Sequence, residues 1–250
     1  MKKTLVALVL ALATVANAAE SHLSSTLTMA SNYIFRGMSY NSQGTLYNSQ
    51  GQGVVQGSVD YLYSVDGVNL GASLFSGPAD TFNTQSYVME RDTEADTFLS
   101  LSKNFTDSLT MGLGYNYYSF IKNVDNDSAE WAVSLTYQKL TLTNGYTDRF
   151  SGVDTNQNRT VAAFKPELFK KDNNSLVADL RVGYNAFCNP VAVATSSYYD
   201  YLTGLVFNVD GLTAEIAYTN TFNRTNLITS QYSKTDGTFT VMLSKTLSIF

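Results

Sequence analysis

Side chains able to act as bases, nucleophiles or metal ligands are scarce in this chain. It has one histidine, His22, and one cysteine, Cys188. Acid–base and nucleophilic catalysis need such a group held beside a partner, and no GxSxG, HExxH, CxxC or phosphate-binding glycine motif is present. The Asp- and Asn-rich stretch 123–130 lacks the spacing of a calcium loop. We therefore predict a protein that is not an enzyme, binds no metal and needs no cofactor.

A different chemistry is indicated by charged side chains that alternate with apolar ones. If the apolar residues face outward, the charged ones point into a shared interior, where charge is tolerated by water or by a partner. The resulting candidate pore-lining residues are Arg36, Asp60, Glu130, Asp179, Arg181 and Glu215. Both signs occur, so the charges either pair and plug the interior or line a pore whose acidic majority favours cations modestly. Channels for acidic oligosaccharides need many arginines, and only Arg181 is clearly assigned inside.

Arg36 is the least certain of these residues because it follows the first predicted strand instead of lying within one. It either reaches into the interior as a constriction or lies at the rim, pairing with a loop acid or lipid phosphate. We favour the rim, since isolated charges usually lie at the surface.

The elements that would position these side chains are strands. After residue 20 the chain forms runs in which apolar and polar residues alternate with a period of two, most clearly at 109–119. The predicted strands are 23–35, 54–63, 68–75, 95–103, 109–119, 129–137, 140–148, 160–168, 176–187, 199–208, 212–222 and 238–250. Asp66-Gly67 and Asp210-Gly211 predict tight hairpin turns, and Pro166 predicts an irregular lower end for the strand at 160–168.

The connections between these strands alternate between long and short. Long ones are predicted at 36–53, 76–94, 120–129, 149–158, 187–198 and 223–237. An up-and-down outer-membrane barrel has this asymmetry, with short periplasmic turns and long outer loops. We therefore predict an all-β fold, a transmembrane antiparallel up-and-down β-barrel of 12 strands. Aromatic residues near strand ends, among them Tyr33, Phe35, Phe120, Phe150 and Phe187, predict two interfacial girdles.

The first residues have the features of a secretory signal peptide. Lys2 and Lys3 precede a short apolar run and an Ala16-Asn17-Ala18 cleavage site, so we predict a signal peptide over 1–18 and a barrel over 19–250. The formal net charge of −5 falls to −7 when both lysines and no acid are lost. Such an acidic chain is a poor candidate for nucleic-acid binding.

Two segments, SNYIFRGMSYNSQG (31–44) and VVQGSVDY (54–61), carry a family resemblance. With EADTFLSLSKNF (94–105) and SAEWAVSLTYQKLTLTNGYTD (128–148), they resemble the TorF family of porin-like proteins, also known as the Gcw_chp family. The resemblance is specific to about residue 150, and the loop at 76–94 departs from it. It implies an outer-membrane barrel with porin function.

The predicted function is passive diffusion of small hydrophilic solutes and ions through the outer membrane of a Gram-negative bacterium. The expected partners are outer-membrane lipid, the barrel-assembly machinery and those solutes, and the sequence leaves the solute and oligomeric state open. The main alternative is a closed barrel with a plugged lumen that acts structurally or through its outer loops in adhesion or binding. A substrate-specific channel, a barrel enzyme and a periplasmic sandwich are weaker alternatives.

Overall fold

A computed structural model describes residues 20–36, 38–39, 53–83, 88–150, 155–188, 197–222 and 237–250. The signal peptide predicted over 1–18 and most of the predicted long loops fall outside these residues. The strands are β1 (Glu20–Ala30), β2 (Ile34–Phe35), β3 (Met38–Ser39), β4 (Val54–Val65), β5 (Val68–Asn83), β6 (Val88–Thr106), β7 (Leu109–Tyr118), β8 (Ser128–Tyr137), β9 (Leu140–Thr147), β10 (Gln157–Phe164), β11 (Glu167–Lys171), β12 (Asn174–Phe187), β13 (Ser197–Val209), β14 (Leu212–Phe222) and β15 (Thr238–Ser248). A 3-10 turn spans Val124–Asn126.

All of these strands except β2 and β3 form one closed antiparallel sheet, and β2 and β3 pair only with each other. From β4 to β10 and from β11 to β15 each strand pairs with the next in sequence, and β1 pairs with both β4 and β15. Strands β10 and β11 share one position in the wall because both pair with β12, so the barrel has 12 strands. Closure gives each of the 12 wall positions a hydrogen-bonded neighbour on both sides, which a strand in lipid requires. The predicted fold class is confirmed.

Alternation decides which side chains face out. Leu113 and Trp131 are 57% and 64% exposed, and the residues paired with Leu113 on both neighbouring strands, Leu101 and Val133, are also exposed and apolar. Such an apolar outer band suits a hydrocarbon surround. The aromatic girdles were predicted too broadly, because Phe120, Phe150 and Phe187 are buried.

Two predicted boundaries are wrong, each for its own physical reason. The stretch 76–94 is not a loop, since β5 continues to Asn83 and β6 begins at Val88, pairing to Asn83↔Val88. The first strand ends at Ala30, not at residue 35. Outside the lipid zone a strand needs no apolar face, so alternation does not show the paired residues of 76–94. In the first strand Tyr33 and Phe35 keep the alternation although pairing has already ended.

Short turns close the barrel at the end where residues 20 and 248 also lie, here named the short-turn end; the opposite end is the long-loop end. Asp66 and Gly67 have φ angles of 49° and 71°, and Asp210 and Gly211 have 47° and 75°, as in the hairpin turns that the sequence predicts. The interruption at Pro166 is also found, with a register shift between Glu167 and Phe169.

We expect Gly67→Ala to lower the free energy of unfolding by about 1 kcal/mol, because φ of 71° is unfavourable for any residue with a Cβ. Gly57→Ala is the matched control, since Gly57 lies in β4 and an added Cβ there meets its nearest atom, the Thr26 carbonyl oxygen, at an ordinary contact distance of 3.8 Å. Equilibrium denaturant unfolding of the folded barrel measures both. Equal unfolding free energies for the two variants would contradict the turn argument.

Candidate functional site: the barrel interior

The chain turns into the barrel directly after β1. Residues 31–36, here named the lumen segment, leave the wall at Ser31, whose backbone amide donates to the Val241 carbonyl at 2.8 Å. Strands β2 and β3 then pair as a small hairpin, with Phe35 opposite Met38. Arg36 follows Phe35 with a φ of 52°, a left-handed conformation that is uncommon outside glycine and that surrounding contacts must hold in place.

Those contacts come from the far side of the barrel. The Arg36 guanidinium donates to Glu130 on β8 and to Gln157 on β10. The hydroxyl of Tyr198 on β13 donates to the Arg36 carbonyl at 3.3 Å. Strands β8 and β10 lie across the ring from β1, so the lumen segment spans the interior.

The rim position that we favoured for Arg36 is therefore wrong. Its side chain is 5% exposed, and its guanidinium carbon lies 4.7 Å from the Phe35 ring centre and 5.8 Å from that of Phe150. Its acidic partner, Glu130, is a wall residue and not a loop residue. The rule that isolated charges usually lie at the surface does not hold for Arg36, because the chain leaves the wall five residues earlier than the alternation suggests.

Glu130 is the point at which the wall binds the lumen segment. Besides Arg36, its carboxylate accepts hydrogen bonds from Thr147 Oγ1 at 3.1 Å, Asn116 Nδ2 at 3.2 Å and Tyr118 Oη at 3.5 Å. A buried carboxylate needs this many donors to offset its lost hydration. The Arg36–Glu130 contact, here named the anchor, thus combines an ion pair with several hydrogen bonds.

A second contact binds the lumen segment to β6. Tyr33 Oη donates to Glu94 Oε2 at 2.7 Å, and the Phe35 ring packs edge-on against Tyr118 with centres 5.5 Å apart. Glu94 stands between Asp92 and Asp96 on the inner face of β6, and all three are buried. Asp92 accepts the backbone amides of residues 122 and 123 at 2.9 to 3.2 Å, which binds the next connection to the same strand.

A cavity of about 260 Å³ lies beside the lumen segment. On its wall, Arg159 Nη2 on β10 donates to both carboxylate oxygens of Asp200 on β13, at 3.0 and 3.3 Å. Gly183 makes room for this pair, because an added Cβ would lie 2.9 Å from Asp200 Cγ and 3.0 Å from Arg159 Nη2. Gln56, Arg181 and Glu215 also line the cavity.

The structure places all six candidate residues on the inside, in three groups. Arg36 and Glu130 pair across the interior. Asp179, which is 1% exposed, pairs with Arg181 and with Lys165, and Glu215 lies close enough to Arg181 for their charges to interact. Asp60 lies apart, accepting hydrogen bonds from Ser58 and Ser73. Their role in lining a pore stays a prediction.

Several interior residues escaped the sequence analysis. Asp92, Glu94 and Asp96 alternate with Thr93 and Ala95, a period of two that could have shown a polar strand within the supposed loop. Arg159 precedes the predicted start of its strand, so the described part of the interior includes Arg36, Arg159 and Arg181, where only Arg181 was clearly assigned inside. Each of the three is paired with an acid.

The single histidine and the single cysteine lie at opposite ends of the barrel. His22 is exposed within β1, opposite Leu62 at the short-turn end, and not ahead of the first strand as predicted. Cys188 is exposed just after β12, at the long-loop end.

Solved structures resemble this chain in fold. One, from a study of the in-meso crystallization of membrane proteins, has a TM-score of 0.56 at 10% identity over 91% of this chain and 84% of its own. LpxR from Salmonella typhimurium has a TM-score of 0.48 at 9% identity, covering 90% and 99%. The translocator domain of autotransporter NalP from Neisseria meningitidis has a TM-score of 0.41 at 11% identity, covering 98% and 93%.

No protein-family model matches the sequence, and no curated protein matches it. Among the described residues, no helix is long and apolar enough to cross a membrane. The closed antiparallel sheet of 12 strands with its apolar outer band defines the class, and the fold is that of a bacterial outer-membrane β-barrel.

Proposed function

We propose that the protein is a narrow outer-membrane channel for passive diffusion of small hydrophilic solutes and ions, with no enzymatic activity. The observation that carries this proposal is the cavity of about 260 Å³, lined by charged and apolar side chains alike, that remains inside the barrel beside the lumen segment. A barrel that only needed to be stable could fill this space with side chains. As in other outer-membrane barrels, we expect the short-turn end to face the periplasm and the long-loop end to face outward.

A weak preference for cations follows from the charges on the inner face. The three interior arginines each have an acidic partner, whereas Asp60, Glu94 and Glu215 have no basic side chain within salt-bridge distance among the described residues. A pore with such an acidic surplus raises the local concentration of cations. The preference is weak because Tyr33 and other neutral donors already bind part of this charge.

The lumen segment favours a second candidate, a closed barrel that acts structurally or through its outer loops. Arg36 reaches the far wall and is fixed there by charge and hydrogen bonds. If this anchor never releases, solutes cannot pass the level of the lumen segment.

We also propose membership of the TorF family, with outer-membrane lipid and the barrel-assembly machinery as partners. The residues that suggested the resemblance, SNYIFRG at 31–37, include the lumen segment. The channel proposal depends on the polar interior and not on this resemblance.

The experiment is single-channel recording of residues 19–250, refolded from detergent into a planar bilayer under a salt gradient. A narrow open channel gives small, ohmic current steps and a reversal potential on the cation side. Folded, inserted protein that passes no current would overturn the channel and support the closed barrel. A reversal potential on the anion side would remove the cation preference while keeping the channel.

A further inference from the structure

Three polar side chains lie together on the outer surface of the barrel wall. The inward side chains of β9 and β10 are the odd-numbered ones, such as Thr147 and Arg159, which bind interior acids. Because side chains alternate along a strand, Asn144 on β9 and Asn158 and Thr160 on β10 face outward. Asn144 Nδ2 donates to Asn158 Oδ1 at 2.8 Å and to Thr160 Oγ1 at 2.9 Å. These three outward residues are here named the amide cluster.

The amide cluster keeps one donor and one acceptor unused. Among the described residues, Asn158 Nδ2 finds no acceptor and Asn144 Oδ1 finds no donor. The two amides are in direct contact, so this donor and this acceptor lie side by side. Polar groups on a lipid-facing surface are costly unless they are paired, which points to a ligand that offers both an acceptor and a donor.

Aromatic residues beside the amide cluster indicate its depth in the membrane. Tyr146 on β9 pairs with Asn158, and Tyr184 on β12 pairs with Thr160. Both rings are exposed, and exposed aromatic rings with a polar tip favour the membrane interface. Strand β10 begins at the long-loop end, so the amide cluster lies toward the outer leaflet, where the polar linkages of lipids meet their acyl chains.

An apolar groove of about 430 Å³ lies on the same wall, on the short-turn side of the amide cluster. Ala162, the next outward residue after Thr160, leaves this space because its side chain is short. Phe164, Leu180 and Val182 stand around it and are 40–52% exposed. The volume is within the roughly 300–1,000 Å³ of ligand pockets. A polar cluster at the outer end of an apolar groove suits one acyl chain and its polar linkage.

We propose that this surface binds an acyl chain attached through an amide, the linkage by which lipid A of the outer leaflet carries some of its chains. The amide carbonyl accepts from Asn158 Nδ2, the amide N–H donates to Asn144 Oδ1, and the chain lies along Ala162 in the groove. An ester-linked chain, as in a phospholipid, has the carbonyl but no N–H, so it leaves Asn144 Oδ1 unpaired. The inference rests on the proposed contact with outer-membrane lipid and names the lipid class.

A second copy of the chain is the competing occupant, because the free donor of one amide cluster could meet the free acceptor of another. Two barrels in contact through these amides would leave the groove beside Ala162 without a side chain to fill it. An acyl chain fills the groove and satisfies the amides together, so the lipid is favoured.

The test is native mass spectrometry of residues 19–250, folded in a polyoxyethylene ether detergent that contains no amide. The probes are N-dodecanoylethanolamine and ethylene glycol monododecanoate, which differ only in an amide N–H against an ester oxygen. We expect the amide to bind about tenfold tighter, a difference of about 1.4 kcal/mol. Purified lipid A should displace it and ester-linked phosphatidylethanolamine should not. Equal affinities for the two probes would overturn the amide site, and failure of lipid A to compete would overturn the lipid assignment.

Three variants assign the parts of the site, and each replaces an outward side chain with an apolar one that the lipid-facing wall accepts. Asn158→Leu removes the donor to the carbonyl and lowers the affinity for both probes. Asn144→Leu removes the acceptor of the N–H and brings the affinity for the amide close to that for the ester. Ala162→Phe fills the groove and abolishes binding of both. Val59→Phe, exposed on β4 across the ring, is the matched control. Wild-type binding by Ala162→Phe would overturn the proposal.

The same spectra and the single-channel current separate this inference from the alternatives. A dimer that forms without lipid and is lost in Asn158→Leu would overturn the lipid site in favour of a second copy. Current through a barrel that does not distinguish the two probes overturns the lipid site and leaves the channel. A barrel that distinguishes the probes but passes no current overturns the channel and leaves the lipid site.

Discussion

Arg36→Gly is expected to raise the single-channel conductance severalfold. Glycine adopts the φ of 52° at this position without the cost of about 1 kcal/mol that a Cβ carries, so the β2–β3 hairpin can persist. What the variant loses is the guanidinium that binds Glu130 and Gln157 on the far wall. Without this anchor the lumen segment no longer spans the interior, and the open cross-section grows.

Weakening the same ion pair from the wall side should have a smaller effect of the same sign. Glu130→Gln keeps the shape of the side chain and weakens the ion pair, so it should raise conductance in the same direction but less. Breaking a fully buried pair costs about 3–5 kcal/mol, and water entering the opened interior reduces that penalty for Glu130. Lys122→Ala, an exposed cation at the same end of the barrel, is the control. A folded Arg36→Gly barrel with wild-type conductance would show that the lumen segment does not limit flow.

Leu113→Arg is expected to lower the free energy of unfolding in lipid vesicles by about 2–4 kcal/mol. Leu113 is 57% exposed at the middle of the outward run of β7, with Met111 before it and Tyr115 after it. An arginine at the bilayer midplane costs this much because its charge loses hydration. Equilibrium unfolding by guanidinium chloride, with the barrel reconstituted in vesicles, measures the change.

The next residue along the strand, Gly114, provides a closely matched control. Gly114→Arg introduces the same side chain one position along the strand, where it faces the interior. A Cβ there meets its nearest neighbours, the Ala132 Cβ and the Leu99 carbonyl oxygen, at 3.8 Å, so the fold accommodates it and the unfolding free energy should change by less than about 1 kcal/mol. If the two variants were equally destabilised, β7 would not have its apolar face toward lipid.

The wall strands could be predicted because lipid imposes a strict rule on them. In β7, each outward residue from Leu109 to Tyr117 is apolar or aromatic, and a shift of one residue would turn the polar set toward hydrocarbon. The tight turns at Asp66 and Asp210 follow from equally local chemistry. These features need no information from distant parts of the chain.

The lumen segment could not be predicted in this way. Tyr33 and Phe35 continue the alternation of β1, and only contacts distant in sequence redirect them inward. Arg36 and Glu130 are 94 residues apart, so no local pattern signals their pairing. Five of the six candidate charges, all but Arg36, could be assigned to the inner face of the wall, but which of them meet depends on the closure of the barrel.

The extended hairpin of β5 and β6 connects the region beyond the membrane to the barrel interior. Strands of 16 and 19 residues exceed the roughly 10 that cross a bilayer, so the paired ribbon stands well beyond the membrane surface. Glu94, at its base, holds Tyr33 of the lumen segment through one hydrogen bond. A partner that binds the part of this ribbon beyond Glu94 and shifts β6 would therefore also shift the lumen segment through that hydrogen bond.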